Sequence, residues 1–494
     1  MALTATSAVS RAGATALKRV ELSRPIRLAL EAGVIGADDD VFDYGCGHGT
    51  DLDFLAALGH NADGWDPNHR PNVKPKPAAV VNLGYVLNVI EDPAERAHAL
   101  EEAWRLATRA LVVAVRTVDD ARFVANGTQH ADGVVTGADT FQKFFTQAEA
   151  RTYIDELLAV QSIPIGPGVF VAFTDEAVEQ EWLDNRAALR RRVRRLRRIV
   201  EPRKTLRDHA YEQHRNTLRP LEEFLAERGR LPAVDEHDWA RQIIEAFGSL
   251  PRAFQVLRHV AEHPWWDDAA EDRRQELLVR FALARLRKRP KFTALPLGTQ
   301  YDVRSLFGSY KAACEQADDL LFSIGDPDTL RQAARGSPIG KQTPDAIYVH
   351  IDATDFLPTE LRVFIGAADA LIGNVPNATL VKAHLDKPRV SYLIYPSFET
   401  DPHPALAESW VIDFRALDVR PHDYRNRVNP PILHRKELFV GPDHPRYNTF
   451  KRLTEQEDRH GLLDEPLTIG TREGWDSRLA ERGWRLHGHR LVRQ

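Results

Sequence analysis

The stretch that decides the fold is Val41-Phe42-Asp43-Tyr44-Gly45-Cys46-Gly47-His48-Gly49. An apolar strand that ends in an acidic residue runs here into three alternating glycines. Glycine adopts positive φ without steric cost, so this backbone can turn sharply and approach a ligand closely. A helix is predicted over residues 50–58, which places the glycine loop between a strand and a helix. In an open α/β sheet, such a loop lies in the ligand crevice at the carboxyl ends of the strands.

The order of the acidic residue and the glycines separates two kinds of nucleotide site. A dinucleotide fingerprint reads G-x-G-x-x-G, with an acidic residue about twenty positions later. Here Asp43 precedes Gly45, Gly47 and Gly49. This order resembles motif I of class I S-adenosyl-L-methionine (SAM) methyltransferases, and the resemblance implies that Asp43 faces the ammonium group of the methionine moiety. Cys46 is expected to fill the loop as a small side chain and not to act as a nucleophile.

A second predicted strand ends at Asp66, nearly twenty residues after the glycine loop. An acidic side chain at this place would accept hydrogen bonds from both ribose hydroxyls of a cofactor. The alternative is a surface turn after an ordinary strand. Pro67 is included among the expected cofactor-binding residues, whereas Asn68, His69 and Arg70 either reach the cofactor or substrate or form an exposed polar loop.

The third landmark is the stretch Val80–Pro93, which resembles the V-L-x-H-x-x-D-P segment of methyltransferases that act on small molecules. The resemblance implies that Asn82 or Tyr85 lines the carboxylate or methyl side of the cofactor. Asp92 and Pro93 are a favourable N-cap and first residue for a helix over 94–107. A strand over 111–115 follows, and this alternation of strands and helices predicts a parallel sheet.

The piece between Asp66 and Ala79 departs from the usual pattern of this fold. It contains four prolines, at positions 67, 71, 75 and 77. Proline lacks an amide donor and breaks helices, so this piece cannot hold the usual helix and third strand. The sequence therefore predicts a shortened region between the second and fourth strands of the usual fold, with the wall over the adenine short or supplied from elsewhere.

Composition sets the broad class of the protein. A chain of 494 residues with 43% apolar residues is expected to hold two or three domains. We predict a Rossmann-like domain with a leading helix over 1–176, a helical domain over 177–290 and an α+β domain over 291–494. The two cysteines, Cys46 and Cys314, fit a reducing cytoplasm. No apolar run reaches transmembrane length, no signal-peptide core is present, and no metal-ligand spacing is found.

A strongly basic segment stands out in a chain of net charge −5. Between Arg186 and Lys204 there are ten Lys or Arg and one acidic residue. An apolar stripe at helical spacing would leave arginines over the remaining surface, which suits contacts with phosphate oxygens. The expected nucleic-acid contacts are Arg191, Arg194, Arg195 and Arg198. The alternative is a solvated helix whose arginines pair with neighbouring acids.

A second motif lies near the C-terminus, at Asn429-Pro430-Pro431-Ile432. It resembles the N-P-P-[YF] loop of amino-methylating DNA enzymes, in which the loop follows the fourth strand of the cofactor domain. Here it lies more than three hundred residues beyond that strand, and isoleucine replaces the stacking aromatic residue. A proline turn before His434 is the favoured interpretation.

Several stretches together resemble one bacterial family, the methyltransferases associated with DNA phosphorothioation. These stretches are Glu21–Pro25, Asp43–Gly49, Gly64–Pro71, Val81–Pro93, Thr140–Phe144, Asn429–Glu437 and Ile469–Arg472. The resemblance implies a role beside systems that replace a non-bridging phosphate oxygen of DNA with sulfur, with DNA and other modification or restriction proteins as partners. It does not supply a methyl acceptor.

Three functional hypotheses follow from these observations. The leading one is a SAM-dependent methyltransferase of DNA modification or restriction, located in the cytoplasm. No catalytic residue is assigned, because His48 and His69, the nearest candidates for a general base, are more simply polar loop residues. The alternatives are a DNA-binding or assembly factor with a non-catalytic SAM fold, and a methyltransferase that acts on a small molecule or a protein.

Overall fold

The computed structural model describes residues 21–123, 127–186, 209–260 and 264–494. These residues divide into two compact units. One unit combines the described residues up to Thr174, here called the N-terminal domain, with Ile324–Gln494, here called the C-terminal domain. The other is a helical unit over Asp175–Ser323.

The N-terminal domain is built on one six-stranded sheet with the order β2-β1-β3-β4-β9-β8. The four strands β1 to β4 are parallel, and β9 and β8 run antiparallel to their neighbours. The six strands are β1 Val41–Tyr44, β2 Ala62–Trp65, β3 Ala78–Gly84, β4 Ala107–Ala114, β8 Ile163–Gly166 and β9 Val169–Phe173. The predicted Rossmann-like α/β fold is confirmed.

Four helices and a small sheet complete this domain. They are α1 Arg24–Glu31, α2 Thr50–Ala57, α3 Pro93–Leu106 and α4 Gln147–Leu158, with β5 Thr128–His130, β6 Gly133–Val135 and β7 Phe141–Gln142. The side chain of Asp92 caps α3 by accepting from the amide of Ala94, as its position predicted. Helix α4 begins with a complete capping box between Thr146 and Glu149.

The shortened region is confirmed between β2 and β3. Residues 67–77 contain no helix and no strand. The prolines explain this absence, because they cannot supply the amide donors of a helix or an inner strand. Strand β3 pairs with β1, and the sheet ends at β2 on the other side of β1 because the usual third strand, which would lie next to β2, is missing.

The C-terminal domain has an antiparallel sheet of six strands in chain order, which agrees with the predicted α+β class. Its strands are β10 Lys341–Thr343, β11 Ala346–His350, β12 Leu380–His384, β13 Arg389–Ile394, β14 Glu408–Asp413 and β15 Asp418–Asp423. Its remaining elements are α12 Pro327–Arg335, α13 Thr359–Ile372, α14 Tyr447–Arg459, α15 Arg472–Glu481, β16 Trp484–Leu486 and β17 Leu491–Arg493. Val381 and Tyr392 pack with α13 on one face, and Leu380 and Phe450 belong to the core on the other.

The N-terminal and C-terminal domains touch through α13. Side chains of α4 donate to its last turn, Gln147 to the carbonyl of Leu371 at 3.3 Å and Arg151 to that of Ala370 at 3.2 Å. These contacts join the two domains into one unit.

A polar pair lies inside the C-terminal domain. His403 is 1% exposed, and its Nε2 lies 2.6 Å from Oε1 of Glu457, which is fully buried. The other ring nitrogen of His403 lies 3.1 Å from the carbonyl of Leu433 and must donate to it. Burial raises the pKa of Glu457 to about 8 and lowers the pKa of His403 to about 4. The pair is therefore neutral near pH 7, with Glu457 protonated and donating to His403.

The helical unit consists of α5 over 176–186, α6 His209–Arg228, α7 Asp238–Phe247, α8 Leu250–Val260, α9 Trp265–Ala284, α10 Leu297–Phe307 and α11 Tyr310–Ser323. It extends to Ser323, beyond the boundary predicted at residue 290. The reason is Asp302 of α10, which is fully buried and accepts from Arg228, Arg230 and Arg273 at 2.8, 2.6 and 2.7 Å. Burial alone would raise the pKa of Asp302, but the three guanidinium groups outweigh it and lower that pKa.

Two structural features are absent from the described ranges of the chain. Within them, no helix has the length and apolar character needed to cross a membrane. The same residues include no group of His, Cys, Asp or Glu side chains arranged to hold a metal ion.

Candidate functional site

The candidate site lies at the carboxyl ends of β1 and β3. The chain leaves β1 to form β2 on one side, and β3 lies on the other side of β1. Such a reversal of strand order opens a crevice at the carboxyl edge of the sheet, where ligands of doubly wound folds bind. The glycine loop follows β1 at this point, as the sequence predicted.

The glycine loop needs its glycines. Gly45, Gly47 and Gly49 all have positive φ, of 87°, 54° and 80°. A Cβ at Gly45 would overlap the side chain of Val86, which follows β3. Gly49 is the N-cap residue of α2, so the loop leads directly into the helix. Close packing of the loop against the end of β3 thus depends on the absence of side chains.

A buried pair of polar side chains stands beside this loop. Asp43 is 4% exposed and Asn82 is 2% exposed, and Nδ2 of Asn82 donates to Oδ1 of Asp43 at 2.7 Å. A carboxylate can only accept, so the amide nitrogen must face it. The amide oxygen of Asn82 is consequently buried without a hydrogen-bond partner, and so is the hydroxyl of Ser23. Unpartnered buried polar atoms are rare in proteins, and these two fit a ligand that donates hydrogen bonds.

Asp66 joins the two loops of the crevice. Its Oδ2 accepts from the amide of Gly47 at 3.0 Å, and its Oδ1 accepts from the amides of Asn68 at 2.8 Å and His69 at 2.9 Å. A carboxylate offers about four acceptor positions, so these bonds leave about one for a ligand hydroxyl. The sequence did not predict this bracing role, and binding of ribose by Asp66 stays a prediction.

The segment after Asp66 folds back onto the glycine loop. The rings of His48 and His69 lie 4.1 Å apart, and the guanidinium of Arg70 lies 2.8 Å from the position that a Cβ would take at Gly49. Pro67 and Asn68 are exposed. His69 and Arg70 are thus half-buried against the glycine loop, and their contact with a cofactor or substrate stays a prediction.

Cys46 and Tyr85 complete the predicted set. Burial, aided by the carboxylate of Asp43, raises the pKa of the Cys46 thiol to about 12, which disfavours the thiolate that a nucleophilic cysteine needs. A Cβ at Gly64 would lie 3.0 Å from that of Cys46, which indicates tight packing between loop and strand. Tyr85 has a φ of 63°, which non-glycine residues rarely adopt. Its amide donates to the carbonyl of Ala114 at 2.8 Å, which holds the turn after β3 against β4.

A cleft of about 790 Å³ opens in the unit formed by the N-terminal and C-terminal domains. Its walls comprise Arg24, residues 119–120 after β4, and residues of the C-terminal domain at one end of its sheet. These wall residues were not predicted as site residues. Arg24 lies within the quoted stretch Glu21–Pro25, but the others come from distant segments with no common motif.

The predicted Asn429–Ile432 element lies elsewhere, in the C-terminal domain. The amide oxygen of Asn429 accepts from the amide of Glu473 at 3.0 Å, and Ile432 is packed in the core around Trp475. The Asn429–Ile432 stretch therefore makes structural contacts within the C-terminal domain, and its Pro431 and Ile432 form isolated β-bridges with Thr471 and Ala405 in place of the favoured proline turn. The four arginines predicted to contact nucleic acid, Arg191, Arg194, Arg195 and Arg198, lie outside the described residues.

Comparisons with known proteins return methyltransferases among solved structures. The 1,6-didemethyltoxoflavin-N1-methyltransferase of Burkholderia thailandensis, solved with S-adenosylhomocysteine, matches at 14% identity and a TM-score of 0.23, covering 30% of this chain and 75% of that one. A sugar N-methyltransferase of Streptoalloteichus matches at 12% identity and a TM-score of 0.23, covering 35% of this chain and 98% of that one. A SAM-bound amino pentose methyltransferase of Micromonospora echinaspora matches at 17% identity and a TM-score of 0.22, covering 31% and 88%.

No protein-family model matches the chain, and a search of curated proteins finds no significant match. The fold assignment rests on the strand order and on the glycine loop at the switch point. These features define a Rossmann-like domain of the class I methyltransferase type, with the shortened region described above.

Proposed function

We propose that the N-terminal domain binds SAM and that the protein is a SAM-dependent methyltransferase. The observation that carries the proposal is the buried pair of Asp43 and Asn82 beside the glycine loop, with the amide oxygen of Asn82 left without a partner. A carboxylate and an amide oxygen both accept hydrogen bonds. Together they suit the ammonium group of a methionine moiety and disfavour the phosphates of a dinucleotide.

Different residues around the crevice would contact different parts of the cofactor. Asp43 and Asn82 would hold the amino group, the glycine loop would let the backbone approach closely, and the remaining acceptor position of Asp66 would take a ribose hydroxyl. When bound, SAM supplies a methyl group already activated on a sulfonium. Most of the work left to the protein is then to hold an acceptor in line with that group.

Titration calorimetry with SAM tests the cofactor site. The wild type should bind, and Asp43→Asn should lower the affinity about 10-fold or more, because a hydrogen bond to a charged group contributes roughly 1.5–3 kcal/mol. Asp53→Asn, at an exposed position of α2, is the matched control and should bind as the wild type does. No binding of SAM at millimolar concentration would refute the proposal.

The finer assignment, a role in bacterial DNA phosphorothioation and restriction, is supported by the sequence resemblance. Transfer of a labelled methyl group from SAM should be followed by mass spectrometry in three samples: phosphorothioated DNA, unmodified DNA and cell extract. Label in DNA supports this assignment. Label found only in extract proteins or metabolites argues against DNA as the acceptor.

The second candidate is a DNA-binding or assembly factor in which the SAM fold is not catalytic. The absent third strand and the arginine-rich segment favour it. Neutralising Arg191, Arg194, Arg195 and Arg198 should then lower DNA affinity and flatten its dependence on salt, since each phosphate contact contributes about 0.9 to the slope. An unchanged salt dependence of DNA affinity would instead support the alternative, a solvated helix whose arginines pair with neighbouring acids.

A further inference from the structure

We propose that the cleft between the N-terminal and C-terminal domains is the acceptor site, and that it takes a small molecule carrying a positively charged amine. The proposal rests on the proposed function as a SAM-dependent methyltransferase, because it places the acceptor beside the SAM crevice, and it makes a small amine the acceptor in place of the DNA of the finer assignment. It gives the C-terminal domain a role in selecting that acceptor.

The position of the cleft supports this role. Arg24 lines the cleft, and both neighbours of Arg24 belong to the SAM crevice. The amide of Ser23 donates to Asp51 at 2.7 Å in the first turn of α2, and the ring of Pro25 lies 3.3 Å from the Cβ position of Gly84 at the end of β3. On the other side, Asp119 and Asp120 follow β4, the strand next to β3. The cleft thus opens along the carboxyl edge of the parallel sheet.

The charges of the cleft favour a cation. Its walls carry five carboxylates against two guanidinium groups; the carboxylates are Asp119, Asp120, Asp352, Glu399 and Glu408. Arg425 pairs with Glu408 at 3.3 Å and with Asp423 at 2.6 Å, which leaves the other four carboxylates of the cleft against the guanidinium group of Arg24. Burial lowers the pKa of His350, so this residue adds no positive charge near pH 7. A polyanion such as DNA would meet net negative charge here, whereas an amine would be attracted.

The size and the remaining walls of the cleft favour a small organic molecule. A volume of about 790 Å³ lies within the usual range of small-molecule sites, roughly 300–1,000 Å³. Trp410 lines the cleft with apolar surface and is only partly buried, whereas Phe398 beside the cleft is a core residue with 3% exposure. Aromatic faces bind organic cations through their π electrons. Another part of the cleft wall is braced by a buried hydrogen bond, which the amide of Tyr395 donates to the hydroxyl of Thr379 at 2.9 Å.

Three probes that share a phenylethyl group and differ only in the terminal group test the proposal. They are phenethylamine, which is positively charged, 2-phenylethanol, which is neutral, and 3-phenylpropionate, which is negatively charged. Each is titrated into the full-length protein, with the change in tryptophan fluorescence as the readout and Trp410→Phe to assign the signal. The amine should bind at least 5-fold more tightly than the alcohol, and the carboxylate most weakly. Asp352→Asn/Glu399→Gln should weaken amine binding about 5- to 10-fold and leave alcohol binding unchanged, since both side chains are exposed and contribute mainly charge. Glu455→Gln, an exposed carboxylate outside the cleft, should change neither affinity.

The acceptor role has its own readout. Methyl transfer from labelled SAM to the small molecules of a cell extract should fall at least 5-fold in Asp352→Asn/Glu399→Gln, while its affinity for SAM stays that of the wild type. Equal binding of the three probes, or a preference for the carboxylate or for a single-stranded oligonucleotide, would overturn the inference even where SAM binds. Absence of SAM binding would instead overturn the proposed function, whatever the probes show.

Discussion

Replacing Gly45 by alanine tests how strictly the glycine loop depends on its backbone. Gly45 has a φ of 87°, and Gly59, at the end of α2, has a nearly equal φ of 92°. An L-residue in the left-handed region costs about 1–2 kcal/mol, so both alanine variants bear this cost. They differ in their surroundings, because a Cβ at Gly45 overlaps Val86, whereas a Cβ at Gly59 has nothing within 4 Å.

The two variants should therefore separate in stability. Overpacking adds about 1–3 kcal/mol, so Gly45→Ala should destabilise its segment by about 2–5 kcal/mol and Gly59→Ala by about 1–2 kcal/mol. Peptide-resolved hydrogen exchange over residues 41–58 measures the free energy of opening of the segment itself. Adding Val86→Ala should recover part of the loss in Gly45→Ala, because it removes the overlapping methyl group.

The same variants should separate in cofactor binding. Gly45→Ala should weaken SAM binding at least 10-fold, since the loop must move away from β3, and Gly59→Ala should bind as the wild type does. Equal losses of stability in the two variants, or wild-type SAM affinity in Gly45→Ala, would refute the account of a loop packed against the end of β3.

Three further predictions concern buried groups. Asp302→Asn should destabilise the helical unit by about 3–5 kcal/mol, because the arginines that donate to Asp302 lose the negative charge that balances them. The fall in the unfolding temperature measures this loss of stability. The pKa of Glu457 is 4.5 in the unfolded chain and about 8 in the folded protein. The contribution of this carboxyl group to the free energy of unfolding is therefore complete below pH 4.5 and is lost as the pH rises towards 8. In the wild type, the free energy of unfolding measured with urea should decline by up to about 1.4 kcal/mol per pH unit between pH 5 and 8, and Glu457→Gln should abolish this decline. Cys46 should resist iodoacetamide at pH 8 in the folded protein and react after denaturation, as peptide mass spectrometry would show; rapid labelling when folded would contradict its raised pKa.

Local patterns in the sequence predicted most of the fold. The glycine loop and the cap of α3 depend on residues a few positions apart, and each lies where it was expected. The prolines between Asp66 and Ala79 likewise predicted the missing third strand, because proline restricts the chain wherever it stands.

What the sequence could not predict depends on contacts between distant residues. Asp66 accepts a hydrogen bond from the amide of Gly47 in the glycine loop, 19 positions earlier, and no sequence motif indicates that bond. The boundary of the helical unit was placed too early because the partners of Asp302 in α6 and α9 cannot be identified from its own surroundings in the chain. The cleft brings Arg24 together with residues more than three hundred positions away, so its walls have no signature along the sequence.

The central claim is that Asp43 and Asn82 hold the amino group of the cofactor. The most direct measurement is the affinity of the protein for S-adenosylhomocysteine and for its analogue that lacks the α-amino group. The wild type should bind the analogue at least 10-fold more weakly, and Asp43→Asn should reduce this difference. Equal affinities for the two compounds in the wild type, or an undiminished difference in Asp43→Asn, would contradict the claim.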